Sequence, residues 1–336
     1  MDGALVIALL VGLAIGSGIV VRQNKLTRLA AQRINDAHNK HQRRVRSPGK
    51  KRPERSQKSK SWKRTLKRLT ISIPILLLAG FAYLVWQRPA QTDWKAIYQG
   101  VDYYCGSFEE SDKLFMVVRL DLDTPGLDVS VRPSSDDANE FRLAIPEWQV
   151  LSEDLSVLMN ATLFEPGDIL KNYPGSRVRS LETLVTGGRV SHRDPHSYLV
   201  GIDETNTPFI ETTKPPSDAA LARAVTAVSI QGVQLHDGEI TNAATFNDER
   251  FSRTFIGITP SERQLFLVAA EDCTSQELLE TCVALGIESG GMLDSDDSTT
   301  LMIGRHALDI SPLTAIRGRR LLGPAIYVRA ESLEHQ

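Results

Sequence analysis

Two stretches of eighteen residues carry no charge: Ala4 to Val21 (ALVIALLVGLAIGSGIVV) and Leu69 to Trp86 (LTISIPILLLAGFAYLVW). As helices rising about 1.5 Å per residue, each comes close to crossing a bilayer core of roughly 30 Å. The second run has Lys67 and Arg68 before it and Tyr83 and Trp86 at its far end, which is how a spanning helix anchors at two interfaces. Its Pro74 falls in the first turns, where a missing N–H costs little. A cleaved signal peptide fits less well, because no basic residue precedes the first run and the second lies deep in the chain. Two buried helices of a soluble protein are the alternative reading.

The segment between the runs decides the orientation that spans would take. Arg22 to Arg68 holds 18 Lys and Arg against two acids, Asp36 and Glu54, whereas the residues after Arg68 hold 21 basic residues against 38 acidic ones. The formal net charge of −2 therefore averages two opposite halves. By the positive-inside rule the basic segment lies in the cytoplasm and both chain ends lie outside. The expected organisation is a transmembrane helix at 1–21, a basic cytoplasmic loop at 22–68, a second transmembrane helix at 69–86, a linker at 87–97 and a domain at 98–330. In a bacterium this places the protein in the cell (inner) membrane with an extracytoplasmic C-terminal domain. The basic loop sets orientation and touches anionic lipid head groups. It has no aromatic interleaving and no nucleic-acid module, so nucleic acid is not an expected partner. Gly12 and Gly16 form a small-xxx-small pair that could pack the spans or make a homodimer.

Beyond Trp86 the pattern changes. Alternating stretches such as LFMVVRLDL from Leu114 and LDVSVRP from Leu127 read as half-buried strands. Further strands are expected near Val157 to Met159, Ser180 to Thr186, Tyr198 to Ile202, Pro208 to Glu211, Val225 to Leu235, Ser252 to Ile258, Gln264 to Ala270, Leu301 to Gly304 and Pro324 to Arg329. Asp93 to Tyr98 is expected as a helical turn, with helices at Trp148 to Val157, from Ala219 to Ala224 and at Ser275 to Leu285, the last with Ser275 as N-cap and Gly286 as its stop. The expected fold class is α+β, a mixed sheet with packed helices.

The candidate chemistry centres on Ile287 to Leu301 (IESGGMLDSDDSTTL). Asp294, Asp296 and Asp297 repel one another unless a proton or a cation sits among them. A divalent cation, Mg²⁺ or Ca²⁺, held with Asp296 and Asp297 is one reading, and a solvated surface turn is the other. The spacing His192-x-Asp194-x-His196 is a weak ligand pattern beside the reading of a polar loop. There is no paired CxxC, no HExxH and no phosphate-cradling glycine loop. Cys105, Cys273 and Cys282 all fall in the part assigned outside, where Cys273 and Cys282 are near enough in sequence to bridge.

In order, Met159-Asn160-Ala161-Thr162-Leu163-Phe164, Val233-Gln234-Leu235-His236-Asp237-Gly238, Arg253-Thr254-Phe255-Ile256-Gly257-Ile258 and the helix Glu277 to Leu285 followed by Leu293-Asp294-Ser295-Asp296-Asp297-Ser298-Thr299 resemble four segments of the phosphodiester glycosidase family. These are I-N-G-x-x-F, L-V-x-D-G, R-T-A-I-G and E-L-A…L-G…L-D-G-G-G-S-S. The resemblance covers about Tyr98 to Arg329 and implies a hydrolase that cleaves a sugar-1-phosphodiester, in the exopolysaccharide-related bacterial branch. Carried over by position, it implies Asp294 as acid, base or hydroxyl ligand, Arg253 as phosphate clamp and Asn160 as a sugar or phosphate contact, with Thr254, Asp237 and Ser298 binding substrate. Ser295, Asp296 and Asp297 stand where the family has three glycines. They add bulk and negative charge where an anionic diester would bind. A non-catalytic glycan-binding or scaffolding relative and a metal-dependent phosphodiesterase are the alternatives.

Overall fold

The computed structural model describes residues 89–333 except 110, 134–136, 138, 166–172, 242–248 and 305–313. All of them belong to the second of the chain's two units, Leu84–Gln336. The two apolar runs, the basic loop and the Gly12/Gly16 pair lie outside the described residues.

In chain order the elements are β1 (Thr92–Tyr98), β2 (Val101–Ser107), β3 (Leu114–Asp121), β4 (Asp128–Val131), β5 (Glu140–Arg142), α1 (Pro146–Ser152), β6 (Val157–Asn160), β7 (Arg177–Arg179), β8 (Leu184–Thr186), β9 (Arg189–His192), β10 (Tyr198–Asp203) and β11 (Pro208–Glu211). There follow α2 (Asp218–Arg223), β12 (Ala224–Ile230), β13 (Leu235–His236), β14 (Glu239–Ile240), β15 (Phe251–Thr259), β16 (Gln264–Cys273), α3 (Ser275–Ala284), β17 (Ser289–Met292), β18 (Thr300–Ile303), β19 (Ala315–Arg317) and β20 (Ala325–Arg329). One sheet runs β1-β2-β3-β16-β15-β17-β13-β14, a second β11-β10-β12-β8-β9 and a third β19-β18-β6-β20-β4, with β5 and β7 paired apart.

The expected α+β class is corrected by this architecture. Strands pair antiparallel throughout the large sheet, as β3 does with β16 and β16 with β15, and the described helices are short. Two local expectations changed for the same reason, long-range pairing overriding local propensity. Thr92–Tyr98 is a strand held against β2, not a helical turn. The helix expected at Trp148 to Val157 stops at Ser152, because Asp154 turns the chain at φ 53 and Val157 onward is taken by the β6 ladder with β18 and β20.

The expected two-span, inner-membrane localisation is also corrected. Among the described residues no helix is long and apolar enough to cross a membrane. The longest of them, α3, has 10 residues, which at 1.5 Å each reach about half of a roughly 30 Å hydrocarbon core.

Side chains alternate along each strand, so successive residues of the large sheet feed two different cores. Met116, Val118 and Leu120 of β3 and Ile256 and Ile258 of β15 pack with Met159 of β6, Ile326 and Val328 of β20 and Val200 and Val228 of the second sheet. On the opposite face, Phe255, Phe266 and Val268 pack against Leu278, Leu279 and Cys282 of α3. The remaining faces of the two five-stranded sheets are covered by α1, through Val150 against Leu158 and Tyr327, and by α2, through Leu221 with Leu199 and Phe209. The three cysteines are free and buried, so the bridge considered for Cys273 and Cys282 is not formed. Burial pushes the Cys273 thiol up to about 12, which leaves it protonated and packed as a small apolar group.

Candidate active site

The site begins where β6 ends. Asn160 is buried, and its Oδ1 accepts the Thr300 amide at 2.9 Å while its Nδ2 donates to the Asp294 carbonyl at 2.5 Å and to Thr254 Oγ1 at 3.2 Å. Thr254 Oγ1 donates to the same Asp294 carbonyl at 2.7 Å. The Leu293 amide donates to the Thr254 carbonyl at 3.0 Å, and the Asp294 amide to the Ala161 carbonyl at 3.2 Å. An Asn with one acceptor and two donors engaged has little left for a ligand. Asn160 and Thr254 therefore act as braces, tying the main chain of Asp294 to β6 and β15 and aiming its side chain.

That side chain is held with unequal satisfaction. Asp294 is buried, and its Oδ2 has no hydrogen-bond partner among the described residues. Burial raises its pKa, against the Ser298 hydroxyl, the Arg320 guanidinium and the Ser295 amide, which favour the charged form. A buried carboxylate oxygen without a donor costs free energy unless a ligand, a water or a proton occupies it.

Arg320 closes one side. Its guanidinium lies 4.5 Å over the Phe164 ring and its Nη1 is 3.5 Å from Ser298 Oγ. Its amide donates to the Asp297 carbonyl at 3.0 Å, and Gly318 lies so close to the Asp297 main chain that a Cβ there would collide with it. The acidic turn is thus laced to the segment after β19. Glu182 closes another side. Its Oε2 accepts the Leu163 amide at 3.2 Å, and its carboxyl is pushed up to about 7, by burial first, against that amide, and further by the charges of Asp294 and Asp194. Two carboxyl groups in such different settings, one bonded to a hydroxyl and an amide with a guanidinium charge near by and one bonded to a single amide, are driven toward different protonation states.

The structure brings Asp294, Ser298, Asn160 and Thr254 together and keeps Arg253 and Asp237 away. Thr254 faces the brace and Arg253, its neighbour in β15, faces the other side of the sheet. There its guanidinium stacks 3.6 Å from the Phe251 ring and donates to the carbonyls of Cys273 at 3.0 Å and Glu249 at 2.9 Å. Asp237 is exposed at the β13–β14 turn, its amide bonded to Ser289 Oγ at 3.2 Å. Ser289 opens β17, and the run from there to Asp294 covers roughly 16 Å of extended chain. Asp296 and Asp297 are exposed, and among the described residues no group of three or more His, Cys, Asp or Glu is placed to hold a metal ion.

Sequence reasoning missed Glu182 and Arg320. Nothing local marks Glu182, whose meaning comes from the Leu163 loop and Asp294. The run Arg317-Gly318-Arg319-Arg320 in an acidic half was a signal that could have pointed to Arg320.

Residues 163–329 match the family model described as phosphodiester glycosidase. This stretch of the chain is a phosphodiester glycosidase domain. It contains Glu182, Thr254, Asp294, Ser298 and Arg320, with Asn160 just ahead of it, and it sets the protein among glycosidase-type hydrolases. Two solved structures share the fold over a longer part of the chain. The catalytic domain of zebrafish N-acetylglucosamine-1-phosphodiester α-N-acetylglucosaminidase, auto-inhibited by its pro-peptide, superposes with a TM-score of 0.51 at 13% identity, over 72% of this chain and 89% of that one. A hypothetical protein from Synechocystis superposes with a TM-score of 0.52 at 12% identity, over 68% of this chain and 62% of that one. No curated protein matches the sequence.

Proposed function

We propose that the domain hydrolyses a sugar-1-phosphodiester of exopolysaccharide-related metabolism, releasing the sugar and leaving a phosphomonoester. The observation that supports this reading best is the pair Glu182 and Asp294, the charge of the second raising the pKa of the first, with the Arg320 guanidinium acting on Asp294. Glycoside cleavage in most families needs two carboxyl groups in divided roles. Glu182, with its pKa raised to about 7, keeps its proton in a large fraction of molecules at neutral pH and donates it to the bridging oxygen as the bond from the sugar carbon to that oxygen breaks. Asp294, whose pKa burial raises against the pull of Ser298, Arg320 and Ser295 and which is thereby a stronger base than an exposed carboxylate, takes the proton of the water that adds to the sugar carbon. Arg320, stacked on Phe164, matches phosphate oxygens in a planar fork and offsets the charge of Asp296 and Asp297.

The test is release of N-acetylglucosamine from an N-acetylglucosamine-1-phosphodiester. Asp294→Asn and Glu182→Gln each lower kcat by about 10²- to 10⁴-fold. The wild-type rate falls as pH rises through about 7, where Glu182 loses its proton, and this limb is absent from the residual activity of Glu182→Gln. A panel of sugar-1-phosphodiesters with no turnover by the intact protein overturns the proposal.

A further inference from the structure

The chain on either side of Glu182 presents apolar side chains to solvent. Leu163 is 37% exposed and Leu181 46% exposed, and the Leu181 amide donates to the Leu163 carbonyl at 3.0 Å, so the two leucines stand side by side. The Leu163 amide is the one that holds Glu182 Oε2. Hydrogen bonds link the two chain segments: Ser180 Oγ, 2.9 Å from Thr162 Oγ1, also contacts the Glu182 carbonyl at 2.9 Å and the Leu163 carbonyl at 3.4 Å. A braced pair of leucines at the acid is an apolar lip, where solvated polar residues would cost nothing.

The lip's position relative to the chemistry determines which part of the substrate meets it. If Glu182 protonates the bridging oxygen, the group next to Glu182 is the departing phosphate, and the phosphate's other substituent extends outward from there. Arg320 and Phe164 take the anion. Among the described residues, Leu163 and Leu181 flank Glu182 on its exposed side, with the charge of Asp194 also felt by its carboxyl. We infer that Leu163 and Leu181 form a subsite for an apolar alcohol, so that the preferred substrate is the phosphodiester of a sugar with a hydrocarbon-bearing alcohol. This rests on the hydrolase reading given above and adds the class of the leaving group.

The experiment compares two N-acetylglucosamine-1-phosphodiesters, of methanol and of hexanol, with the full-length protein and with Leu163→Asn and Leu181→Asn. Both substitutions are at exposed side chains, and Leu163→Asn leaves the main-chain donor to Glu182 in place. The hexyl diester is expected to exceed the methyl diester in kcat/KM by roughly tenfold or more, the discrimination that added methylenes give in an apolar subsite. In each variant that ratio falls toward one. Turnover of both diesters with equal efficiency overturns the inference and leaves the hydrolase reading standing, as does a hexyl preference that survives both substitutions. Turnover of neither overturns the hydrolase reading and the inference with it.

Discussion

Arg253 and Arg320 show how little a residue type says before its surroundings are known. Both are arginines beside an aromatic ring, yet one is spent on main-chain carbonyls and the other reaches Ser298 and the charge of Asp294. Position in a motif pointed to Arg253, and the period of two in β15 sends it to the face opposite Thr254. Arg253→Gln is therefore expected to act on stability. Loss of the charged donor leaves the Cys273 carbonyl unsatisfied, at about 1–3 kcal/mol, read as a lower urea midpoint at unchanged slope. KM for a sugar-1-phosphodiester stays within about twofold of wild type, whereas a residue that clamps phosphate in the ground state would raise it. Asp294 and Ser298 were legible because they sit in one short polar run. Glu182 was not, since Leu163 and Asp294, which act on it, come from the loops after β6 and β17, and no pattern in one stretch of sequence records that.

At the scale of elements, alternation located most strands well, including β3, β10, β15 and β16, because each has an apolar face that must be buried. Boundaries failed where a cap or a turn decided them. The helix α3 starts one residue earlier than expected, with Thr274 rather than Ser275 as N-cap in a reciprocal capping box with Glu277. The acidic turn is the more instructive element. Its first glycine-like position, Ser295, is extended, but Asp296 adopts φ 60, a left-handed conformation that glycine takes without strain and that Asp tolerates better than most. Asp296 thus holds a conformation that a glycine at the same position would take freely. Asp296→Gly is expected to change stability by less than about 1 kcal/mol, relief of strain being offset by greater freedom in the unfolded chain. Asp296→Val, with a branched Cβ at positive φ, is expected to cost roughly 1–2 kcal/mol, and parallel urea titrations of the two variants separate conformation from loss of the carboxylate.

At the scale of the molecule, the sheet order could not be read from sequence, because neighbours in a sheet are far apart in the chain. β3 lies between β2 and β16, and β6 lies between β18 and β20, with β4 on the outer side of β20. The segment that the family model covers, 163–329, contains none of β1 to β4 and not β6. Without them β16 loses its partner across seven residue pairs, from Gln264 opposite Asp121 to Ala270 opposite Phe115. β20 loses both of its neighbours, and Met116, Val118, Leu120 and Met159 leave the central core. Asn160, the brace of the Asp294 carbonyl, goes as well. Each buried aliphatic side chain removed from water contributes about 1.5–3 kcal/mol, so the lost core alone is comparable with the entire stability of a typical domain, about 5–15 kcal/mol. A polypeptide of residues 163–329 is therefore expected to show no cooperative urea transition by circular dichroism, while residues 89–336 show one. A sharp transition in the shorter polypeptide would mean that the first sheet's N-terminal strands and β6 are accessories to the fold rather than parts of its core.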